Sequence, residues 1–586
     1  MKVNGLCRFA KMQYRLIVKE YIFQHDCHFA PASGPAKSAN DEVQATRFLC
    51  CPSFRHFSAR LALSKNARKE YLSHLFKRQV TKMTPGMIAR MAAVKKDMPK
   101  ENNELLISSQ ASHRKSPWLL IGALGAGMRA LAEMLFDADE SVVGTDHELT
   151  TGECGPPSRT NPHTVRLFHP DDTEQIFANA IGCVVYSMAV PASCPLLQRC
   201  RSLGLNPMSL PQALSLLLES HNQTCVAGTH GKTTTSGMTW CILQQAGCRP
   251  SAYLGGVMRN QRRSGILSSG AVAVVESCEY RQSFLRLSPK TVVLTGIEPD
   301  HFDCFSSQAD CDQAFCDFVS RLPPDGTLVF NHDCLRSAAI AATCGRRTIS
   351  FSLHGDADWN AVPCESGSAG IPGNSQRQSF LLRNRTHDVG LVQLQVPGLH
   401  NQQNALAAIA AAVATGVSVD TAIHGIAAFS GIQRRFEHRG QLFGIDWIDD
   451  YAHHPTAIRS TLETARTIFQ NRRLIAVFEP HQLSRVSALF EDFRSALSLA
   501  DECLILPVLP ARETASIAHC SRVSGTLVRS ISESGGRAFL MTNLDQVRGR
   551  LDHSGRPGDV VITMGAGRTY QIHDEIHRRL QRNSAA

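Results

Sequence analysis

Val226-Ala-Gly-Thr-His-Gly-Lys-Thr-Thr-Thr235 decides how this chain is read. A strand-like segment, Thr224 to Ala227, runs into it, and a helix-like segment, Ser236 to Gln245, runs out. Strand, glycine loop, Lys-Thr and helix together make a phosphate cradle. The glycines let backbone N–H groups approach phosphate oxygens, and the helix N-terminus adds partial positive charge. Gly228, Thr229, His230, Gly231, Lys232, Thr233 and Thr234 are therefore the candidate nucleotide contacts. Lys232 is expected to reach the outer phosphates, and the Thr233 hydroxyl to ligate Mg²⁺. Full Walker spacing would need glycine at 226, where the chain has valine, so this is a shorter variant of the loop. The alternative is a polar loop opening an ordinary helix.

The chain around this loop has 586 residues, enough for three or four domains of about 150 residues. No apolar run reaches the roughly 18 residues needed to span a bilayer, and no compact apolar core of a secretory signal follows the first basic residues. The 20 cysteines include no CxxC pair and no metal-type spacing. They read as reduced thiols of a cytoplasmic protein. The net charge of +10 is uneven. Residues 1–115 hold 21 of the 61 Lys and Arg but only 8 of the 51 Asp and Glu, leaving 40 against 43 in the rest. The body thus gives no argument for nucleic-acid binding. Residues 1–116 are read as a basic N-terminal extension: a poorly ordered tail, or a start assigned upstream of Met87, Met91 or Met98. A basic arm touching nucleic acid or membrane is the alternative.

From Trp118 the pattern is α/β. Trp118 to Gly122 reads as a buried strand, Gly122 to Met128 as a glycine turn, Arg129 to Phe136 as a helix, and Ser141 to Asp146 as a second strand ending in an acid. That is a nucleotide-binding βαβ layout with irregular glycine spacing. It is open to an NAD site or to a structural turn. Another strand ends at Ser187, and a helix is expected over Cys194 to Leu203. Beyond the cradle, one strand ends in Glu276, and another, Thr291 to Thr295, leads into Gly296-Ile-Glu-Pro-Asp-His-Phe-Asp303. Ligands sit at the carboxyl ends of parallel strands, so Glu276 and His301 are candidates for Mg²⁺ or phosphate. Asn401 and Asn404, three apart at the start of an alanine-rich helix, are placed to read a purine edge or to cap the helix. Arg434 and Arg435, after a glycine, suit phosphate neutralisation or a solvated basic loop. Asp449-Asp-Tyr-Ala-His-His-Pro-Thr456 opens a helix with Pro455 in its first turn. Phe478-Glu-Pro-His-Gln-Leu-Ser-Arg485 repeats the strand-then-polar-turn layout with His481 and Arg485, and Met564-Gly-Ala-Gly567 is a third glycine turn.

Taken in order, the Gly122 turn, GTHGKTTT, the Glu276 strand end, IEPDHFD, HNQQNA, GIQRRFE, DDYAHHPT, FEPHQLSR and the final MGAG resemble the Mur ligases over about residues 117–570. The resemblance implies three α/β domains after the extension. A Rossmann-like UDP-sugar domain would cover 117–221, a central P-loop ATPase-like domain 222–428, and a C-terminal Rossmann-like amino-acid domain 429–586. It implies ATP-dependent ligation of L-alanine to the lactyl carboxylate of UDP-N-acetylmuramate through an acyl phosphate, with ATP and Mg²⁺, in a cytoplasmic monomer or homodimer. The alternatives are ligation of a murein tripeptide to the same sugar nucleotide, or a degenerate nucleotide-binding scaffold. Under the resemblance, Gly122, Gly125, Gly127, Met128, Asp146 and Ser187 contact the sugar nucleotide rather than NAD. Thr233, Glu276 and His301 hold the metal, and Asn401 and Asn404 hold adenine. Arg434 and Arg435 add charge from a hinge. His454 and Arg485 hold alanine or the acyl phosphate, with Asp450 orienting neighbours. The chain departs from the family pattern at Leu124, at Ser277-Cys-Glu-Tyr-Arg281, at Gly296, at Gln482 and across Pro507 to Glu513. Leu124 is expected to crowd the diphosphate turn. Lys232, Thr233, Glu276 and His301 are intact, so catalysis is expected.

Overall fold

The computed structural model describes residues 116–149, 165–364 and 378–573. The chain divides into two units, residues 1–111 and 112–586, and all described residues fall in the second. The basic N-terminal segment and its candidate starts lie outside them.

Three sheets follow one another along the chain. Strands β1 (Trp118–Ile121), β2 (Val142–Thr145), β3 (Arg166–Phe168), β4 (Cys183–Tyr186) and β5 (Met208–Ser209) form a parallel sheet in the order β3-β2-β1-β4-β5. Helix α1 (Ala126–Asp137) follows the first glycine turn and buries Met128, Leu131, Met134 and Leu135. The second sheet holds ten strands among the described residues. These are β6 (Asn222–Ala227), β7 (Ser251–Met258), β8 (Arg263–Ile266), β9 (Val272–Glu276), β10 (Pro289–Leu294), β11 (Thr327–Asn331), β12 (Arg347–Ser352), β13 (Trp359–Pro363), β14 (Gln378–Asn384) and β15 (His387–Leu394), ordered β15-β14-β13-β12-β11-β10-β6-β9-β7-β8. The third comprises β16 (Glu437–Leu442), β17 (Ile445–Asp450), β18 (Leu474–Phe478), β19 (Glu502–Ile505), β20 (Ala538–Leu540) and β21 (Val560–Met564), ordered β16-β17-β21-β18-β19-β20.

The central strand β6 explains where the site lies. It pairs in parallel with β9 on one side and β10 on the other, with Val226 beside Glu276 and Ala227 beside Leu294. The chain thus leaves β6 in one direction and later returns on the opposite side, which opens a crevice at the carboxyl ends of these strands. Apolar runs at Cys225 to Ala227 in β6, Val272 to Val275 in β9 and Val292 to Leu294 in β10 fit a parallel sheet covered on both faces. Helix α2 (Lys232–Gln245) covers one face. It starts at Lys232, earlier than the apolar pattern suggested, because Gly231 at φ +78° turns the chain into it. Helix α3 (Leu399–Ala414) packs on α2. Its run from Ala405 to Ala412 is fully buried, and small side chains permit the close approach.

In the third sheet, Asp450, Met564 and Phe478 lie in register at the ends of β17, β21 and β18. This brings the turns after three distant segments to one edge. Helix α4 (Pro455–Ile468) and the short helix α5 (Leu483–Ala488) begin there. The antiparallel additions β13–β15 and the β16–β17 hairpin carried no strong sequence pattern. No helix among the described residues is long and apolar enough to cross a membrane, and the described cysteines are all free thiols.

Candidate active site

The cradle is built by close backbone approach. A β-carbon on Gly228, at φ +131°, would lie 2.3 Å from Thr295 Oγ1 and 2.7 Å from the Gly296 carbonyl. One on Gly231 would lie 2.3 Å from Asn404 Oδ1. Thr229 completes the join: its N–H donates to the Gly296 carbonyl at 2.8 Å, and its Oγ1 accepts from Glu298 N–H at 2.8 Å. Glycine at 296 leaves open room, since a β-carbon there would meet only Asn331 Nδ2 at 3.8 Å.

Lys232 lies folded against this loop. Its Nζ donates to the Gly228 and Thr229 carbonyls and to both Glu279 oxygens at 3.0 Å. Burial opposes its charge, but Glu279, Cys278 and Glu276 outweigh that and hold the ammonium above its ordinary pKa. Burial likewise opposes ionisation of Glu279, and Lys232 with His301 outweighs it. His301 Nε2 is 3.5 Å from Glu279 Oε1, while its buried Nδ1 has no hydrogen-bond partner among the described residues. Thr233 Oγ1 donates to Glu276 Oε1 at 3.0 Å, and Arg435 Nη2 reaches Thr233 Oγ1 at 3.4 Å. Thr234 is buried in the first turn of α2. The fold thus pairs Thr233 with Glu276 and His301 with Glu279. A hydroxyl and carboxylates at a helix N-terminus are a donor set suited to a hard cation, so Mg²⁺ fits the residues present.

The two asparagines are engaged internally. Asn404 Oδ1 accepts from Thr235 Oγ1 at 3.2 Å, its Nδ2 donates to Asn401 Oδ1 at 3.1 Å, and Asn401 Nδ2 donates to the Pro397 carbonyl at 2.6 Å. Both are buried, and Asn404 braces Gly231.

The first glycine turn meets the carboxyl ends of β1, β2 and β4. Gly122, at φ +83°, faces Ser187, whose Cβ a side chain at 122 would approach to 2.9 Å. Asp146 Oδ2 accepts from Leu124 N–H at 3.1 Å, pinning the turn. Gly127 is a packing glycine: a β-carbon there would lie 2.5 Å from the Tyr253 hydroxyl. Met128 is buried beneath it, and Gly125 sits against the Gly122 carbonyl. Leu124 is 46% exposed, its side chain projecting from the turn.

The third region meets the cradle through the loop after β10. Arg485, 1% exposed, donates to Asp300 Oδ1 from Nε at 2.9 Å and also from Nη2, and its Nη1 is 3.1 Å from His481 Nδ1. Asp303 accepts from Arg512 Nε at 2.9 Å, and that guanidinium stacks over the Tyr280 ring at 4.1 Å. Glu298 Oε2 accepts from Thr456 Oγ1 at 2.7 Å and lies 3.4 Å from His230 Nε2. His454 caps α4, accepting from Thr456 N–H at 3.3 Å, while its Nε2 is 3.2 Å from the Pro299 carbonyl. Burial and His230 push the His454 imidazole down to about 4, and burial and Arg485 do the same to His481. Burial works against the Glu298 charge, yet His230 and Thr456 bring its carboxyl down to about 2.

Asp450 orients its surroundings directly. Its Oδ2 accepts from Phe436 N–H at 3.0 Å and Thr461 Oγ1 at 3.1 Å, and its Oδ1 from Ala452 N–H at 2.8 Å. Arg434 donates to the Gly565 carbonyl at 2.7 Å and stacks on Tyr451 and Tyr570. Glu279, Glu298, Asp300, Asp303 and Arg512 were missed as site residues. The acids lie inside quoted motifs, but their partners are up to 209 residues away, a pairing no local pattern carries.

Residues 226–412 match the Mur ligase middle domain, and residues 434–567 match the Mur ligase glutamate ligase domain. The chain is 34% identical over 456 residues to a UDP-N-acetylmuramate–L-alanine ligase of Desulfitobacterium hafniense, covering 77% of this chain and 97% of that one. A solved UDP-N-acetylmuramate–alanine ligase from Thermotoga maritima superposes with a TM-score of 0.63 at 22% identity, over 80% of this chain and 99% of the other. A murein peptide ligase from Psychrobacter arcticus gives 0.61 at 25% identity, over 79% and 98%. The three successive sheets, the glycine cradle and this identity over nearly the whole length of a relative lead to one assignment: the chain belongs to the Mur ligase family.

Proposed function

We propose that this protein joins L-alanine to the lactyl carboxylate of UDP-N-acetylmuramate at the expense of ATP, in the cytoplasmic assembly of cell-wall precursors. The observation that carries this reading is the position of Thr233. It sits between Glu276 at the end of β9 and the Arg435 guanidinium from the next region. A hydroxyl and carboxylate suited to a hard cation thereby face a positive charge of the kind that two reacting anions need.

The chemistry asks for positioning and charge, with no covalent nucleophile. Lys232 is poised to exchange its Gly228 and Thr229 carbonyl contacts for phosphate oxygens. Thr233, Glu276 and His301 would hold Mg²⁺, which screens phosphate charge when bound. Gly122, Gly125, Asp146 and Ser187 line the first region's strand ends, where the UDP moiety would lie, while Gly127 and Met128, packed at the start of α1, support the turn from beneath. Arg434 and Arg435 add charge from the following segment. His454 and Arg485, fixed against Pro299 and Asp300, form the wall toward which the amino acid is delivered. Asn401 and Asn404 act through the loop they brace as well as toward adenine.

A tripeptide substrate in place of alanine is the second reading, supported by the near-equal likeness to the murein peptide ligase fold. Purified protein supplied with ATP, Mg²⁺ and UDP-N-acetylmuramate should release phosphate with L-alanine and not with the tripeptide. Release with the tripeptide alone sinks the first reading. No release with either, despite ATP binding, makes the protein a scaffold.

A further inference from the structure

Two clusters of potential ligand atoms, each within 4.8 Å, occur among the described residues: Cys278 with Glu279 and His301, and His230 with Glu298 and His454. The first is already neutralised by Lys232 Nζ at 3.0 Å from both Glu279 oxygens. The second is met differently. Among the described residues, Glu298 Oε2 faces His230 Nε2 at 3.4 Å, His454 Nδ1 at 3.9 Å and the Thr456 hydroxyl at 2.7 Å.

The geometry of His454 is informative. Its Nε2 lies 3.2 Å from the Pro299 carbonyl, which requires the proton on that nitrogen. Nδ1 then carries the lone pair; it accepts from the Thr456 N–H at 3.3 Å, a long contact that a cation would displace, and faces Glu298. An imidazole whose far nitrogen donates to a backbone carbonyl is oriented as metal-ligating histidines are. Two imidazoles and one carboxylate form a zinc-type donor set. Bonds of about 2.0–2.2 Å in a tetrahedron set donors roughly 3.3–3.6 Å apart; His230 Nε2 stands 3.4 Å from Glu298 Oε2, and His454 Nδ1 at 3.9 Å closes that shell by a small side-chain shift. The Glu298 side chain is 38% exposed, which gives a cation a path in.

We propose that His230, Glu298 and His454 bind a borderline-soft divalent cation such as Zn²⁺, separately from the hard-cation position at Thr233 and Glu276. The cation would join the cradle, the 297–303 loop and the N-terminus of α4. It would thereby fix His230 and His454 in place and inhibit turnover. Binding needs no nucleotide, so the site stands or falls independently of the ligase reading.

The test is Co²⁺ titration of the chelator-stripped full chain in saturating Mg²⁺, read by the visible absorption of tetrahedral cobalt. One equivalent should absorb and be displaced by Zn²⁺. His230→Gln and His454→Gln should each lose the absorption, with circular dichroism showing that they remain folded, and Cys278→Ala should keep it. Absence of visible absorption in the parent protein, persistence in either folded histidine variant, or loss in Cys278→Ala would each overturn the site. Should one histidine variant misfold, Glu298→Gln replaces it with the same expected loss.

Discussion

Lys232 is the residue on which most depends. It is held by two carbonyls of its own loop and by Glu279, so the loop is shaped before phosphate arrives. Lys232→Ala should lower turnover by about 10²–10³-fold, the scale of losing one charge-stabilising donor. It should also lower the melting temperature, because Glu279, 2% exposed, loses its ammonium. Near-normal steady-state activity would refute the role. His454 gives a pH prediction. Its imidazole stays neutral down to about 4, whereas the unfolded residue takes a proton near 6.5. Below 6.5 the unfolded chain therefore binds more protons at this site. The stability it contributes is full above 6.5 and is lost as pH falls from 6.5 to 4, at most by about 3 kcal/mol. Urea denaturation at several pH values should show this loss, and His454→Gln should flatten the slope in that window.

At the level of elements, the strand–loop–helix around the cradle was legible in the sequence because glycine, lysine and threonine serve local geometry. The positive φ of Gly228 and Gly231 is a local demand of the turn, although the atoms that crowd them, Thr295, Gly296 and Asn404, come from distant segments. Gly228→Ala should leave a folded protein with little nucleotide binding, since its β-carbon meets the backbone of Gly296. Unchanged ATP affinity by calorimetry would contradict the packing argument. The segment from Arg434 to Phe436 was less legible. Arg434 and Phe436 both adopt positive φ, a conformation that costs about 1–3 kcal/mol per residue. It is held by Asp450, by Glu437 on the Arg434 N–H, and by the Arg434 carbonyl accepting from Tyr451 N–H. Such strain is set by tertiary partners, which a one-dimensional pattern does not contain. Asp450→Asn turns one acceptor oxygen into a donor facing N–H groups. It should therefore destabilise by about 1–3 kcal/mol, read as a lowered denaturation midpoint.

On the scale of the molecule, the 297–303 loop gathers the contacts between the ten-stranded and six-stranded sheets. Glu298, Asp300 and Asp303 engage Thr456, Arg485 and Arg512 in turn. The motif itself was visible, but the sequence singled out only His301, because the cations that complete the acids come from the far end of the chain. Asp300 and Arg485 are both more than nine-tenths buried. Arg485→Met should destabilise the fold by about 3–5 kcal/mol, read as a strongly lowered denaturation midpoint, because Asp300 stays behind as an uncompensated buried charge. Arg485→Met combined with Asp300→Leu should recover much of that stability while activity stays low. By contrast, Arg568 and Glu148, about two-thirds exposed, should contribute under 1 kcal/mol. This difference bears on how the molecule answers to salt. The Asp300–Arg485 pair is a dry contact between the ten-stranded and six-stranded sheets that ions hardly reach. The join there should keep its strength as ionic strength rises, while the exposed Arg568–Glu148 pair fades.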